Sequence, residues 1–298
     1  MTELLAGIDA GGTSFKCGLA DATGNIVAKF RVGVTTPEET IGACLEQFEQ
    51  LSANHNGHIA SLGIASFGPL DRDNASETYG MIGTTPKPNW SHTPMIKPFS
   101  DRFGCPIKID TDVNGALIAE MTSGAAKGAE SAAYITIGTG IGAGLYANGG
   151  LLGQPSHPEF GHIHIKRHAV DDFSGACGFH GDCLEGLASA TAIRARFGPP
   201  EDIAEDHVLW DIESYYLAQA CQSLYLMFRT DKIVLGGGVM QAPFLLDKVR
   251  DQFETLLAGY AGMTGALAYT IIQRAGHGDD AGLEGAFCLA REARDVSE

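Results

Sequence analysis

Two stretches of this chain share one plan: a short apolar strand, a glycine-rich loop carrying a threonine, and a second strand. The first runs from a strand at Leu4 to Asp9 through Asp9-Ala10-Gly11-Gly12-Thr13 to a strand at Lys16 to Ala20. The second runs from Ala133 to Ile137 through Gly138-Thr139-Gly140-Ile141-Gly142-Ala143-Gly144 to a strand at Gly144 to Tyr146. Such an internal duplication predicts two similar α/β lobes whose loops face each other across a cleft. The length agrees, because 298 residues exceed most single domains and suit two lobes of roughly 120 to 180 residues. The lobes are expected over residues 1–112 and 113–298.

Between the loops, local signals continue the α/β order. The turn Asp21 to Asn25 precedes a third strand at Ile26 to Val32. Thr36-Pro37-Glu38-Glu39 then reads as a helix start, with Thr36 as N-cap, Pro37 at the first helical position and Glu39 completing a capping box. Ile41, Leu45, Phe48 and Leu51 give that helix a buried stripe. Strands follow at Leu62 to Phe67 and Ile107 to Asp110. The latter leads through Thr111-Asp112-Val113-Asn114 into a helix containing Ala116, Ile118 and Met121. A third glycine loop, Gly236-Gly237-Gly238, follows a strand at Lys232 to Leu235 and precedes a helical stretch from Pro243 to Leu257.

Glycine loops at strand ends bring successive backbone N–H groups close to phosphate oxygens, and a carboxylate at the strand end, here Asp9, can hold Mg²⁺ through water. A Gly-Gly after a strand also serves as a plain hairpin turn. Three such loops in one chain favour a nucleotide triphosphate. Composition bounds the alternatives. No apolar run approaches the roughly 18 residues of a membrane span, and the start Met1-Thr2-Glu3 is unlike a signal peptide, so cytoplasm is the expected compartment. A net charge of −16 argues against a nucleic-acid partner, which needs clustered Lys and Arg.

Of the seven cysteines, five stand singly among apolar neighbours and read as reduced core residues. Cys177 and Cys183 instead flank His180 in a C-x₂-H-x₂-C spacing within a glycine-containing loop. With His162 as fourth ligand they make a tetrahedral Zn²⁺ site whose full protein shell marks it as structural. His157, His164 and His168 are rivals for the fourth place. Asp112 is the candidate general base, since a carboxylate at a strand-to-helix junction can take a proton from a substrate hydroxyl. An aspartate there also serves as an ordinary N-cap. Glu159 and Glu185 flank the zinc segment, where carboxylates can bind the vicinal hydroxyls of a sugar.

Taken together, these motifs resemble the ROK family of sugar kinases, within the larger group of actin-like, hexokinase-like ATPases with a ribonuclease H-like fold. The resemblance spans D-A-G-G-T at Asp9 to Thr13, T-D-V-N at Thr111 to Asn114, I-G-T-G-I-G at Ile137 to Gly142, H-P-E-F-G-H at His157 to His162, C-G-F-H-G-D-C-L-E-G at Cys177 to Gly186, and G-G-G-V at Gly236 to Val239. It implies Asp112 as catalytic base, Asp9 with Gly11, Gly12 and Thr13 at the phosphates and Mg²⁺, Thr139 and Gly140 on phosphate, and Gly236, Gly237 and Gly238 at the nucleotide. Asn89, Asn114, Glu159, His162 and Glu185 would face the sugar, and His162, Cys177, His180 and Cys183 would hold zinc in the loop of about 157–186. It implies ATP and a hexose as ligands, and a homodimer. The chain departs from the usual family pattern in carrying His180 with only two cysteines and Thr111 where an asparagine precedes the catalytic aspartate. Both departures, with T-P-K-P-N-W at Thr85 to Trp90, look like the bacterial fructokinase branch, with fructose as the sugar. Glucose, mannose and N-acetylmannosamine are the alternative hexoses. A sugar-sensing ROK-type regulator would carry an N-terminal helix-turn-helix and a less acidic surface. A sugar-binding protein without activity is separated from a kinase by assay with ATP and hexoses.

Overall fold

Alternation along the first strand organises half the molecule. In β1 (Thr2–Ala10), Leu4, Ala6, Ile8 and Ala10 point into one core with Phe48, Trp90 and Phe99, while Leu5 points to the opposite face with Leu283 and Phe287. The computed structural model describes residues 1–85, 87–260 and 266–296. Pro86, in the Thr85 to Trp90 stretch, lies outside them. The chain forms two compact units, one of residues 1–119, 153–157 and 280–298 and the other of residues 120–152 and 158–279.

In the first unit, β1 is followed by β2 (Ser14–Asp21), β3 (Ile26–Gly33), α1 (Pro37–Asn54), β4 (Gly57–Ser66), α2 (Lys97–Phe103) and β5 (Ile107–Thr111), with α3 (Asp112–Ser123) leading out of it. The Thr36 hydroxyl accepts the Glu39 amide at 3.3 Å, so the expected cap of α1 is in place. The sheet order is β3-β2-β1-β4-β5, with β2 and β3 antiparallel additions and β4 and β5 parallel ones.

The second unit contains β6 (Ala132–Ile137), β7 (Ile141–Ala147), β8 (Gly150–Leu151), α4 (Leu184–Ala188), α5 (Ala190–Phe197), α6 (Leu209–Phe228), β9 (Lys232–Gly236), α7 (Leu245–Leu257), α8 (Ala266–Ile271) and β10 (Ile272–Arg274). Its sheet runs β8-β7-β6-β9-β10, again with two antiparallel strands on one side of the first strand and two parallel ones on the other. The duplication read from the glycine loops is therefore repeated strand for strand. Its core sets Ile135 and Ile137 of β6 against Trp210, Leu217 and Leu224 of α6 and Phe253 of α7.

The units part at Ala119/Glu120 rather than at 112/113, and the last helix, α9 (Ala281–Asp295), belongs to the first unit. The reason lies on the second face of the first sheet, where Gly7 and Gly18 carry no Cβ and Phe287 fills the space 3.1 Å from where those atoms would be. A Cβ on Gly63 would stand 1.9 Å from the Ala286 carbonyl oxygen, so glycine there admits the α9 backbone itself. No helix among the described residues is long and apolar enough to cross a membrane.

Candidate active site

Both phosphate-loop candidates are short hairpin connections. The first spans Gly11 to Thr13 between β1 and β2, with the Gly11 amide donating to the Ser14 carbonyl at 3.2 Å. Neither Gly11 nor Gly12 takes a left-handed backbone. Gly12 contributes room instead, since a Cβ there would meet nothing within 4 Å. The second connection is only Gly138-Thr139-Gly140, and Ile141 to Gly144, expected in the loop, already belong to β7. Each candidate phosphate loop is thus also a hairpin turn.

Asp9, one residue before the end of β1, lies on the face covered by α9. A Cβ on Gly282 would lie 2.5 Å from the Asp9 carboxyl carbon, so the start of α9 passes directly over that carboxylate. Burial pushes Asp9 up to about 6, against the nearby charges of Lys16 and Arg31.

Asp112 lies one residue past the cap, and its carboxylate accepts the Val113 amide at 2.9 Å. The Thr111 hydroxyl accepts the Asn114 amide at 3.2 Å, which makes Thr111 the N-cap and Asp112 the first residue of α3. Burial first, and the Asp9 charge second, raise Asp112 to about 7, close to the ideal for a base working at neutral pH. Beneath it lies a buried network. Asp110 accepts Arg72 at 2.7 Å and the Asn114 side-chain amide at 2.7 Å, and Arg72 also donates to the Ser156 carbonyl. Asn114 is fully buried, and its side-chain amide braces Asp110. Asn89, in contrast, is exposed and left-handed, with φ 68°.

In the second unit, the ligand atoms of His162, Cys177, His180 and Cys183 lie within 4.8 Å of one another. His162 Nδ1 stands 3.7 Å from Cys177 Sγ and 3.6 Å from Cys183 Sγ, and His180 Nδ1 stands 3.8 Å from Cys177 Sγ. Zn–N and Zn–S bonds of about 2.0 and 2.3 Å span a tetrahedron with N···S edges of about 3.5 Å, close to these separations. The cluster therefore fits a structural zinc. Of the rival histidines, His168 packs on Tyr215 with ring centres 5.2 Å apart, and neither His164 nor His157 joins the cluster. Cys177 and Gly181 exchange both backbone hydrogen bonds, and Gly186 permits the tight turn, since a Cβ there would fall 1.9 Å from the Gly181 carbonyl.

Glu185, at the start of α4, accepts the Ile141 amide at 3.0 Å, and a Cβ on Gly140 would collide with its carboxylate at 2.5 Å. Its carboxylate thus holds the second glycine loop rather than standing apart from it. Glu159 is exposed, and its carbonyl accepts the His162 amide at 3.0 Å.

A cavity of about 510 Å³ opens beside the same loop, lined by Gly138, Thr139, Arg194, Trp210, Gly238 and Phe244 among others. Apolar walls around glycine loops and one exposed cation suit a nucleoside phosphate. The triglycine divides its labour. Gly237 has φ 89° and no space, a Cβ falling 2.4 Å from the Ile137 carbonyl, whereas Gly238 faces open room. Arg194, Trp210 and Phe244 escaped the sequence reading because an arginine on a short helix and two aromatics in a core carry no motif.

The chain matches the ROK family profile over residues 5–293. It belongs to the ROK family. Among its ROK-type relatives is a fructokinase from Zymomonas mobilis, 44% identical over 96% of each chain. The crystal structure of a ROK hexokinase from Thermus thermophilus superposes with a TM-score of 0.78 at 26% identity, covering 99% of each chain. A ROK family glucokinase from Streptomyces griseus, crystallised with glucose and AMPPNP, gives a TM-score of 0.76 at 25% identity over 97% of this chain and 99% of that one. The fold is the two-lobed, actin-like α/β fold of ROK hexokinases.

Proposed function

We propose that this ROK protein is an ATP-dependent fructokinase that transfers the γ-phosphoryl group of ATP to the 6-hydroxyl of D-fructose. The observation that carries the mechanism is Asp112, a carboxylate at the start of α3 raised to about 7. It accepts the proton of the sugar's primary hydroxyl as the oxygen attacks the γ-phosphorus, and ADP leaves with the bond electrons. The Gly11–Thr13 backbone and Thr139 with Gly140 receive phosphate oxygens, and the cavity beside Gly238 receives the nucleoside. Asp9 would hold Mg²⁺, which would supply charge neutralisation at the phosphates.

The sugar is read by Asn89, Glu159 and His162, with Asn114 and Glu185 positioning the base and the second glycine loop from behind. His162, Cys177, His180 and Cys183 would hold zinc as a structural ion that would fix the loop carrying Glu159 and His162. Fructose is favoured by the name of the Zymomonas mobilis relative at 44% identity, against glucose for the Streptomyces griseus structure at 25%. A coupled assay with ATP and a hexose panel tests the reading. Highest kcat/KM for fructose is expected, and faster phosphorylation of glucose or N-acetylmannosamine would move the enzyme to another branch.

A further inference from the structure

Phosphoryl transfer gathers negative charge on the γ-phosphoryl oxygens and the bridging oxygen to ADP, and phosphotransferases set a fixed cation there besides the metal. The Gly11–Thr13 loop offers backbone amides but no lysine of its own, unlike a G-x-x-x-x-G-K-[ST] loop. Several basic side chains of the same unit are already committed to carboxylates. Arg72 is buried against Asp110 at 2.7 Å, Lys29 pairs with Asp280 at 2.7 Å, and Lys16 lies 3.9 Å from Asp9.

Lys87 differs. Its ammonium donates to the Gly12 carbonyl inside the phosphate loop and makes no ion pair among the described residues. Two aromatic rings hold it there, with Nζ 5.2 Å from the centre of Phe67 and 5.9 Å from that of Trp90. The rings are themselves fixed. Trp90 is fully buried and its indole N–H donates to the Thr35 carbonyl at 2.9 Å, and the two ring centres lie 5.5 Å apart, edge to face. Aromatic faces stabilise a cation without neutralising it. Partial loss of water, acting the other way, lowers the Lys87 ammonium from its ordinary value. One carbonyl uses one of its three N–H donors.

We propose that Lys87 is a catalytic cation of the transfer step, contacting the γ-phosphoryl oxygens above the Gly11–Thr13 loop. This deepens, and rests on, the reading of the chain as a kinase. Neither proton nor bond passes to the lysine, which acts by charge alone and stays protonated throughout.

The test compares wild type with K87M, which keeps the contact with the rings, K87R, which keeps the charge, and K87A. Wild-type turnover with ATP and fructose is measured first, because its absence would overturn the kinase reading and this proposal with it, visibly and before any variant is compared. With K87M folded by thermal melting, kcat is expected to fall by about 10² to 10³, while calorimetric fructose affinity stays within threefold. ATP affinity should fall more than ADP affinity, a difference that a lysine serving only to brace Gly12 would not produce. Added primary alkylamine should restore part of the K87A rate, or K87R should exceed K87M in kcat. A kcat loss under tenfold, equal weakening of ATP and ADP, or failure of both amine and arginine to restore turnover would overturn the assignment.

Discussion

Replacing Asp112 by asparagine should make the protein more stable while sharply lowering turnover, and the two effects have one cause. Folding raises this carboxyl from 3.8 to about 7, so the folded chain holds the proton more tightly than the unfolded chain. The unfolded state therefore loses its proton first as pH rises, and stability falls from about pH 4 until the folded group also ionises near 7. Three units at about 1.4 kcal/mol each set an upper bound of about 4 kcal/mol on that cost. Because the residue keeps some accessible surface, about 1 to 3 kcal/mol is the expected gain. Urea unfolding of wild type and Asp112→Asn, without nucleotide or divalent metal, should show this gain at pH 8 and show it vanish toward pH 4. In the same preparation kcat should drop by about 10² to 10⁴ with fructose affinity retained. Equal stability at pH 8, or a gain that ignores pH, would refute the account of a carboxylate strained by burial.

Cys183→Ser should lower both bound zinc, read by elemental analysis, and melting temperature, since a metal on this cluster would link residues 162 and 183 through one centre; full stability in a zinc-free protein would return the thiols to the core. Glu159→Gln should raise KM for fructose and cut kcat/KM with ATP affinity unchanged, as steady-state kinetics would show. The triglycine gives a paired contrast in melting and nucleotide titration. Gly237→Ala should destabilise the fold, its Cβ falling 2.4 Å from a carbonyl at φ 89°, whereas Gly238→Val should leave melting unchanged and block nucleotide from the cavity.

Much of this protein is legible in its sequence because the relevant forces are local. The Thr36 cap, the apolar stripe of α1 and the strands around each glycine loop depend on neighbours a few residues apart. The His/Cys cluster was readable because Cys177, His180 and Cys183 share one loop, so spacing alone brings three donors together. Tertiary structure decided what depends on distant chain. It returned α9 to the first sheet, because Phe287 fills the space over Gly7 and Gly18. It turned Asn114 inward to Asp110, gave capping to Thr111 and left the Asp112 carboxylate on the Val113 amide. It drew Lys87 onto Gly12, 75 residues away, and assembled a cavity from Trp210, Phe244 and the glycine loops. Residue type and spacing set which groups can ionise, ligate or turn, but desolvation and the field of neighbouring charges set what they do, and both arise only when segments far apart in the chain pack together.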